Sequence, residues 1–209
     1  MKSEGSFSLP RLLSVSPSPH MRCLDTTRSV MLDAIIALIP AAIWGIYSFG
    51  WRAAVIILIS VAVSVLTEAV YEVATRKSVT CADLSAAVTG LILGLSMPPA
   101  VPVWVPAVGA VFAIVIAKQL FGGIGKNIVN PALAARVFLM LCWPDQMTKY
   151  IDVKTDLVSS ATPLTVLKTG VSPADTVFRC VVGNISGSIG EVSAIALFAG
   201  FIYLLVRRV

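Results

Sequence analysis

Charged side chains and histidine are scarce in this sequence. Only 13% of the 209 residues are charged, against about a quarter in a soluble domain, while 57% are hydrophobic and the mean hydropathy is +0.89. A lone histidine, His20, cannot form a histidine-based metal site. No Cys-x-x-Cys pair links the cysteines, which are Cys23, Cys81, Cys142 and Cys180. These absences argue against a soluble enzyme and against a metal centre held by this chain.

The N-terminal region also lacks the apolar core of a cleavable secretory signal. Residues 1–25 are polar and rich in Pro and Ser. The sequence has no basic segment interleaved with aromatic residues, so its net charge of +5 does not predict a nucleic-acid partner. We instead expect Lys and Arg to be retained on the cytoplasmic side of a membrane, with residues 1–29 as a cytoplasmic tail.

Apolar segments fill most of the remaining chain. The first two are close to the roughly 20 residues that cross a hydrocarbon core, and several others are shorter and interrupted by Gly or Pro. Such interrupted segments are typical of the discontinuous helices of transporters, so a channel or transporter is an open alternative. We predict an all-α, polytopic membrane bundle with short, interrupted helices. The apolar segments are 30–51, 53–71, 84–97, 101–117, 131–143 and 191–206.

Basic residues predict the orientation of the bundle. If the N-terminus is cytoplasmic and every segment crosses, ten of the 16 Lys and Arg residues lie inside, five lie outside, and Arg136 lies within a span. The positive-inside rule favours this arrangement. We therefore expect residues 30–143 to form a bundle of about five segments, 144–190 an outer-face loop and 191–209 the last span. A re-entrant segment would reverse this assignment.

Several ionisable residues fall at predicted membrane depth. Glu68, Glu72 and Arg76 are spaced by four residues, which predicts a charged helix face, with an ion path as the alternative. Asp33 lies one turn into the first span and can reach the interface. Asp83 precedes an apolar run, which predicts a helix N-cap.

A Gly-rich linker, 121–131, joins two apolar segments. Glycines let backbone approach a ligand closely, and the following helix N-terminus favours anionic groups, although a simple turn explains the same residues. Arg136, among apolar neighbours in the next segment, needs a carboxylate, carbonyl or phosphate partner. The linker candidates for binding are Gly122, Gly123, Lys126, Asn127 and Asn130.

The polar segment 156–163 contains the strongest candidate, Thr162. One interpretation is structural, with Thr162 as N-cap, Pro163 at the first helical position and Gly170 after the last turn of a short surface helix. The other is chemical, because the small neighbours Ser160 and Ala161 leave room for a bulky phosphoester on the threonine hydroxyl. The residues alone leave both open.

The same segment resembles a flavinylation motif. Asp156-x-x-Ser159-Ser160-Ala161-Thr162 is similar to Asp-x-x-Ser/Thr-Gly-Ala/Ser-Thr, whose last threonine carries FMN through a phosphoester, with Ser160 in place of glycine. Further segments resemble, in order, the D subunit of the Rnf-type electron transport complex, which is related to the B subunit of the sodium-translocating NADH:quinone reductase. These segments are 18–22, 83–90 with 98–99, 122–132 and 187–194.

The resemblance implies a set of cofactor-binding residues. Thr162 would be the covalent FMN anchor, and a second, noncovalent flavin is allowed near the tail or the linker. The implied recognition residues around the anchor are Asp156, Ser159, Ser160 and Ala161, and the implied lining residues of a flavin site are Gly122, Gly123, Lys126, Asn127, Asn130 and Arg136.

The resemblance also implies a fold and partners. Members have a urea-transporter-like fold of two related halves, so this chain would correspond to the first half and end before the second. They act in a bacterial or archaeal cytoplasmic membrane complex that passes electrons between ferredoxin and NAD and moves sodium ions or protons. The expected partners are the other subunits, including a flavin-bearing one on the outer face, lipid, and the flavin transferase. A urea-transporter-like channel and a structural membrane anchor are the alternatives.

Overall fold

Two long helices begin the structure, a computed structural model that describes residues 26–76, 83–151, 158–159, 181, 183 and 185–207. Helix α1 (Thr27–Phe49) is capped by Thr26, whose Oγ1 accepts a hydrogen bond from Ser29 N at 3.3 Å. Only Gly50 separates α1 from α2 (Trp51–Ala74), and its φ of 74° is a conformation that favours glycine. Both helices are long and apolar enough to cross a membrane.

Shorter helices follow. Helix α3 has 11 residues and is about 17 Å long, roughly half of a 30 Å hydrocarbon core. Each predicted apolar segment contains a helix, which confirms the predicted helical bundle with short elements. The helices are α3 (Ser85–Leu95), α4 (Trp104–Phe112) continuing into a π-helix (Ala113–Gln119), α5 (Pro131–Cys142), α6 (Pro144–Met147) and α7 (Ala194–Arg207).

A small β-hairpin departs from the all-α prediction. Strand β1 (Tyr150–Ile151) pairs antiparallel with β2 (Val158–Ser159), and Tyr150 lies opposite Ser159. With only two residues in each strand, the pairing is too short for a pattern of alternating residues to predict it. The likeness to a urea-transporter fold stays a prediction.

Helix α3 packs closely and antiparallel on α2. A Cβ on Gly90 would lie 2.7 Å from the Ser60 carbonyl oxygen and 2.8 Å from Ser64 Oγ, and one on Gly94 would lie 3.0 Å from Ile57 Cα. The later α3 residue, Gly94, thus meets the earlier α2 residue, Ile57, so the two helices run antiparallel. Small residues therefore bring the two backbones together, as is usual between membrane helices.

Aromatic contacts set α5 against α4. The rings of Phe112 and Phe138 are stacked with centroids 4.1 Å apart, and those of Trp104 and Trp143 meet edge-on at 5.1 Å. The start of α4 thus meets the residue after α5, which makes the two helices antiparallel.

Helix α7 runs antiparallel along α1. Gly200 permits the approach, since a Cβ there would lie 2.2 Å from the Ala37 carbonyl oxygen. Asp33 is 4% exposed and accepts hydrogen bonds from Tyr203 Oη at 2.8 Å and from Arg207 Nη2 at 3.1 Å. The side chain of Asp33 therefore joins two helices.

Successive long elements alternate in direction, which defines two ends of the bundle. The Lys118 end contains the start of α1, the end of α2, the start of α3 and the end of the π-helix. The Trp143 end contains Gly50, the 96–103 turn and the end of α5. A later segment returns to this second end, where Ile189 N donates to the Met97 carbonyl at 3.1 Å and Gly190 N donates to the Leu95 carbonyl at 2.8 Å.

Two local predictions are wrong. Helix α2 ends at Ala74, and Arg76 lies beyond it with a φ of 53°, so Arg76 is not part of a charged helix face. Asp83 does not cap α3. The N-cap is Leu84 with a φ of 60° and no side-chain capping bond, because the chain enters this helix through a left-handed residue rather than an extended one.

Candidate functional site

Polar side chains occupy the buried face of α2. They are spaced by four residues, one step of a helix face, and extend over about 18 Å of the helix. Their exposed fractions are 0%, 0%, 1% and 2% for Ser60, Ser64, Glu68 and Glu72 respectively. Such residues need partners within a membrane bundle, since burying a charged group alone is very unfavourable.

Glu68 is at the centre of a buried ion pair. Lys118 Nζ forms an ion pair and a hydrogen bond with Glu68 Oε1, and each side chain is 2% exposed. Lys118 Nζ also donates to Ser85 Oγ at 2.6 Å, and Gln119 Nε2 donates to the same Glu68 oxygen at 3.2 Å. Helices α2 and α3 and the π-helix therefore meet at this ion pair.

The π-helix explains how adjacent residues reach that carboxylate. Ala117, Lys118 and Gln119 are all buried, whereas an α-helix turns consecutive side chains to different faces. Hydrogen bonds from Leu120 N to the Val115 carbonyl and from Gly123 N to the Lys118 carbonyl, both 3.1 Å, span five residues and widen the turn. π-helical turns often occur at functional sites, and this one aims two donors at Glu68.

A cavity of about 400 Å³ adjoins Lys118 at the Lys118 end. It lies between α3, the π-helix, the linker and the start of α1. Lys118, the partner of Glu68, lines this space, whereas Glu68 is not among the lining residues. The apolar lining comes from residues such as Met31, Val88 and Ile92, and the polar lining is Ser85, Thr89, Lys118, Asn127 and Asn130.

The glycines of the linker are needed for its backbone. Gly122, Gly123 and Gly125 have φ values of 103°, 89° and 82°, in the region that favours glycine. Gly125, which is not among the predicted binding residues, lines the cavity, while Gly122 lies under the side chain of Lys126. The turn interpretation therefore accounts for these glycines without a ligand.

The amides of the linker differ in role. Asn130 Oδ1 accepts a hydrogen bond from Ala132 N at 3.0 Å and caps α5. Asn127 Oδ1 is buried and has no hydrogen-bond partner among the described residues. Asn127 is thus the linker candidate with an unused polar atom at the cavity, while Lys126 is exposed.

Arg136 has the carboxylate partner that its position required. Its Nη1 lies 3.1 Å from Glu191 Oε1, with 28% and 61% of the two side chains exposed. Ser188 Oγ donates to the other Glu191 oxygen. Arg136 therefore holds the returning segment at the Trp143 end and does not line the cavity.

Of the predicted FMN motif, the structure describes Ser159. Its backbone pairs with Tyr150 in the hairpin that follows α6, on the chain that leaves the Trp143 end of α5. The linker precedes the opposite end of α5, about 18 Å away by helix length. Thus the linker candidates and Ser159 belong to segments that leave α5 at opposite ends. Asp156, Ser160, Ala161 and Thr162 lie outside the described residues.

The sequence did not predict the buried cluster formed by Glu68, Ser85, Lys118 and Gln119. Because Lys118 follows an apolar segment, the charge count treats it as one of the ten cytoplasmic basic residues rather than as a buried one. The available signal was the spacing of Ser60, Ser64 and Glu68 in an otherwise apolar helix, which marks one polar face that needs a donor. The described residues contain no group of three or more His, Cys, Asp or Glu placed to hold a metal ion.

Comparison with known proteins relates residues 14–209 to the NQR2, RnfD, RnfE family. The chain is 46% identical over 202 residues to the D subunit of the Na(+)-translocating ferredoxin:NAD(+) oxidoreductase complex of Acetobacterium woodii. It is 37% identical over 209 residues to the D subunit of the proton-translocating ferredoxin:NAD(+) oxidoreductase complex of Clostridium ljungdahlii. Each comparison covers 94% of this chain and 63% of the relative. The D subunit of an ion-translocating oxidoreductase complex from Rhodobacter capsulatus is 33% identical, with 91% and 63% covered. The chain therefore spans less than two thirds of the length of these relatives.

Proposed function

We propose, since this chain belongs to the NQR2, RnfD, RnfE family, that it serves as the D-type membrane subunit of an ion-translocating ferredoxin:NAD(+) oxidoreductase complex. We further propose that it carries FMN covalently on Thr162. The observation that carries the first part is the 46% identity to a relative of that name across 94% of this chain. The second part rests on the motif Asp156-x-x-Ser159-Ser160-Ala161-Thr162.

The bundle is compatible with a membrane subunit. Helices α1 and α2 are long enough to cross, and the shorter helices expose large apolar side chains such as Leu141 (78% exposed) and Phe198 (63% exposed). Exposed apolar surface of this kind suits lipid or neighbouring subunits. The positive-inside rule would place the Lys118 end in the cytoplasm and the Trp143 end outside.

The chain would position FMN through the two ends of its outer loop. The hairpin at Tyr150 and Ser159 follows α6 at one end, and the contacts of Ile189 and Gly190 with the 95–97 backbone secure the other. In the attachment step the Thr162 oxygen would lose its proton and bond to the FMN phosphorus of an activated donor, a flavin dinucleotide, while the phosphoanhydride bond of that donor breaks and its nucleotide leaves with the bonding electrons. Once attached, FMN would supply electron transfer, and the protein would supply position and electrostatics.

Attachment is tested by in-gel fluorescence of the full chain co-expressed with its flavin transferase. Under ultraviolet light the denatured band should fluoresce, and Thr162→Ala should remove the signal while Thr165→Ala, a matched change in the same loop, keeps it. Ser160→Gly should fluoresce at least as strongly as the wild type, because it restores the usual motif residue. Any second, noncovalent flavin would appear in the supernatant after denaturation.

A dark wild-type band would refute covalent attachment, provided that the same transferase labels a control substrate. Fluorescence that survives Thr162→Ala would refute attachment at Thr162, because the flavin would then be bound covalently to another residue. The dark band, by contrast, would favour a channel or a structural anchor.

A further inference from the structure

Trp104 presents an exposed indole ring at the Trp143 end of the bundle. It is the first residue of α4 and is 47% exposed, so part of the ring packs on the protein and part is accessible. We propose that this ring is the platform on which the isoalloxazine ring of the FMN on Thr162 stacks. The proposal rests on the proposed function, because it assigns the protein surface that receives that same flavin.

An aromatic cluster holds the Trp104 ring in place. Its ring meets that of Trp143 edge-on with centroids 5.1 Å apart, and Trp143 meets Phe138 edge-on at 6.4 Å. Phe138 stacks on Phe112 at 4.1 Å. Phe112, Phe138 and Trp143 all pack against the hydrophobic core. The platform is therefore oriented before a ligand arrives, and a preorganised surface loses little side-chain freedom on binding.

The exposed indole fits the chemistry of a flavin ring. The edge-on contact with Trp143 covers at most one face of the Trp104 ring. Planar heterocycles stack on tryptophan through their π-faces and need no hydrogen-bond partner for this. A flavin held by its phosphate could therefore use Trp104 as a stacking surface without further polar groups.

The hairpin shortens the reach of the motif threonine. Met147 is 2% exposed and its N donates to the Trp143 carbonyl at 3.2 Å, so the chain is still attached to the bundle there. An extended chain over the 15 positions from Met147 to Thr162 would span about 54 Å. Pairing of Tyr150 with Ser159 leaves two pieces of three residues and one interstrand step, at most about 27 Å. The anchor is thereby restricted to the surroundings of the Trp143 end.

The other end of the same loop is also attached beside Trp104. Ile189 N donates to the Met97 carbonyl at 3.1 Å, and Gly190 N donates to the Leu95 carbonyl at 2.8 Å. The turn that follows these carbonyls leads directly into Trp104 at the start of α4. Both attachments of the flavin-bearing loop thus flank this indole, which favours Trp104 over other aromatic residues of the bundle as the stacking surface.

Trp51 provides the matched comparison. It is 75% exposed and follows Gly50 at the same end of the bundle, where tryptophans commonly contact lipid headgroups. Trp51 lies in the turn between α1 and α2, whereas Trp104 adjoins the residues that hold the loop. A contact with lipid alone would make the two residues equivalent towards the flavin. Stacking distinguishes them.

The test is the fluorescence of the flavin in the folded protein. An excited flavin in contact with indole takes one electron from it and returns that electron without emitting light, whereas a phenyl ring does not donate. The full chain, loaded by the flavin transferase and purified in detergent, is measured before and after denaturation. The ratio of native to denatured emission corrects for incomplete loading, and the signal of Thr162→Ala is subtracted as the background of noncovalent flavin.

Three substitutions identify the quenching residue. If about half of the flavins are stacked, Trp104→Phe should raise the ratio about twofold, because the stacked population no longer loses its emission. Trp104→Tyr should keep the ratio of the wild type, since a phenol also donates an electron on contact. Trp51→Phe, the matched control, should leave the ratio unchanged. Circular dichroism and size-exclusion chromatography confirm that each variant is folded.

The outcomes separate this proposal from the one it rests on. An unchanged ratio in Trp104→Phe, or an equal rise in Trp51→Phe, would overturn the platform while covalent attachment stands, and Trp104 would then be an interfacial residue. A rise in Trp104→Tyr as large as that in Trp104→Phe would also overturn it, because contact quenching would not be the cause. A denatured wild type without emission would refute the attachment of FMN itself.

Discussion

Replacing Gly90 by alanine should destabilise the bundle by about 2 kcal/mol. The new Cβ would lie 2.7 Å from both the Ser60 carbonyl oxygen and Val61 Cα and 2.8 Å from Ser64 Oγ. Overpacking of this kind costs about 1–3 kcal/mol, and contact with backbone atoms of another helix favours the upper limit. Alanine in a helix interior recovers about 1 kcal/mol relative to glycine. The difference leaves a net loss.

Two other glycines calibrate this estimate. At Gly94 the nearest contact would be 3.0 Å from Ile57 Cα, so overpacking of about 1 kcal/mol should roughly cancel the helical gain. At Gly187 a Cβ would meet no atom within 4 Å and φ is not positive, so alanine should be neutral or stabilise by up to about 1 kcal/mol.

Unfolding by sodium dodecyl sulfate, followed by circular dichroism, gives the free energy of unfolding of each variant. We expect the free energy of unfolding to be highest for Gly187→Ala, intermediate for Gly94→Ala and lowest for Gly90→Ala. If Gly90→Ala unfolds with the same free energy as the wild type, the close approach of α2 and α3 is incorrect.

Two further substitutions test individual hydrogen bonds in the same assay. Tyr203→Phe removes the 2.8 Å bond to Asp33 and should lower the free energy of unfolding by about 0.5–1.5 kcal/mol; an unchanged value would argue against the α1–α7 contact. Asn130→Ala removes the cap of α5 and should destabilise by about 1 kcal/mol, whereas Asn130→Asp should retain most of the stability, and equal losses in both would count against capping.

The apolar segments were predictable because the bilayer imposes length and composition on each of them. Thr27–Phe49 and Trp51–Ala74 agree closely with the predicted segments 30–51 and 53–71. Helix α5 begins at Pro131, the first residue of the predicted segment 131–143, and the structure adds Asn130 as its N-cap. These features depend on neighbouring residues, which a single sequence contains.

The partners of charged residues were much harder to predict. The ion pair of Glu68 and Lys118 joins residues 50 positions apart, and that of Asp33 and Arg207 joins residues 174 positions apart. A π-helix directs Lys118 inward, and no residue pattern near Ala113–Gln119 distinguishes it from the end of an ordinary α-helix. Thr162, our FMN anchor, stays a prediction that rests on its motif.

The order of synthesis makes the pairing of the 95–97 backbone with Ile189 and Gly190 a late event. The ribosome synthesises α3 and α4 well before Ile189 and Gly190. The Leu95 and Met97 carbonyls therefore have no hydrogen bond from these two residues until the later segment is made. Chains generally fold from the N-terminus during translation. The 95–97 backbone would therefore lack these two hydrogen bonds until residues 189 and 190 have been made. In the proposed orientation, translocation of residues 144–190 would then also be a step in completing the bundle, and a chain interrupted within them would leave the Leu95 and Met97 carbonyls without these partners.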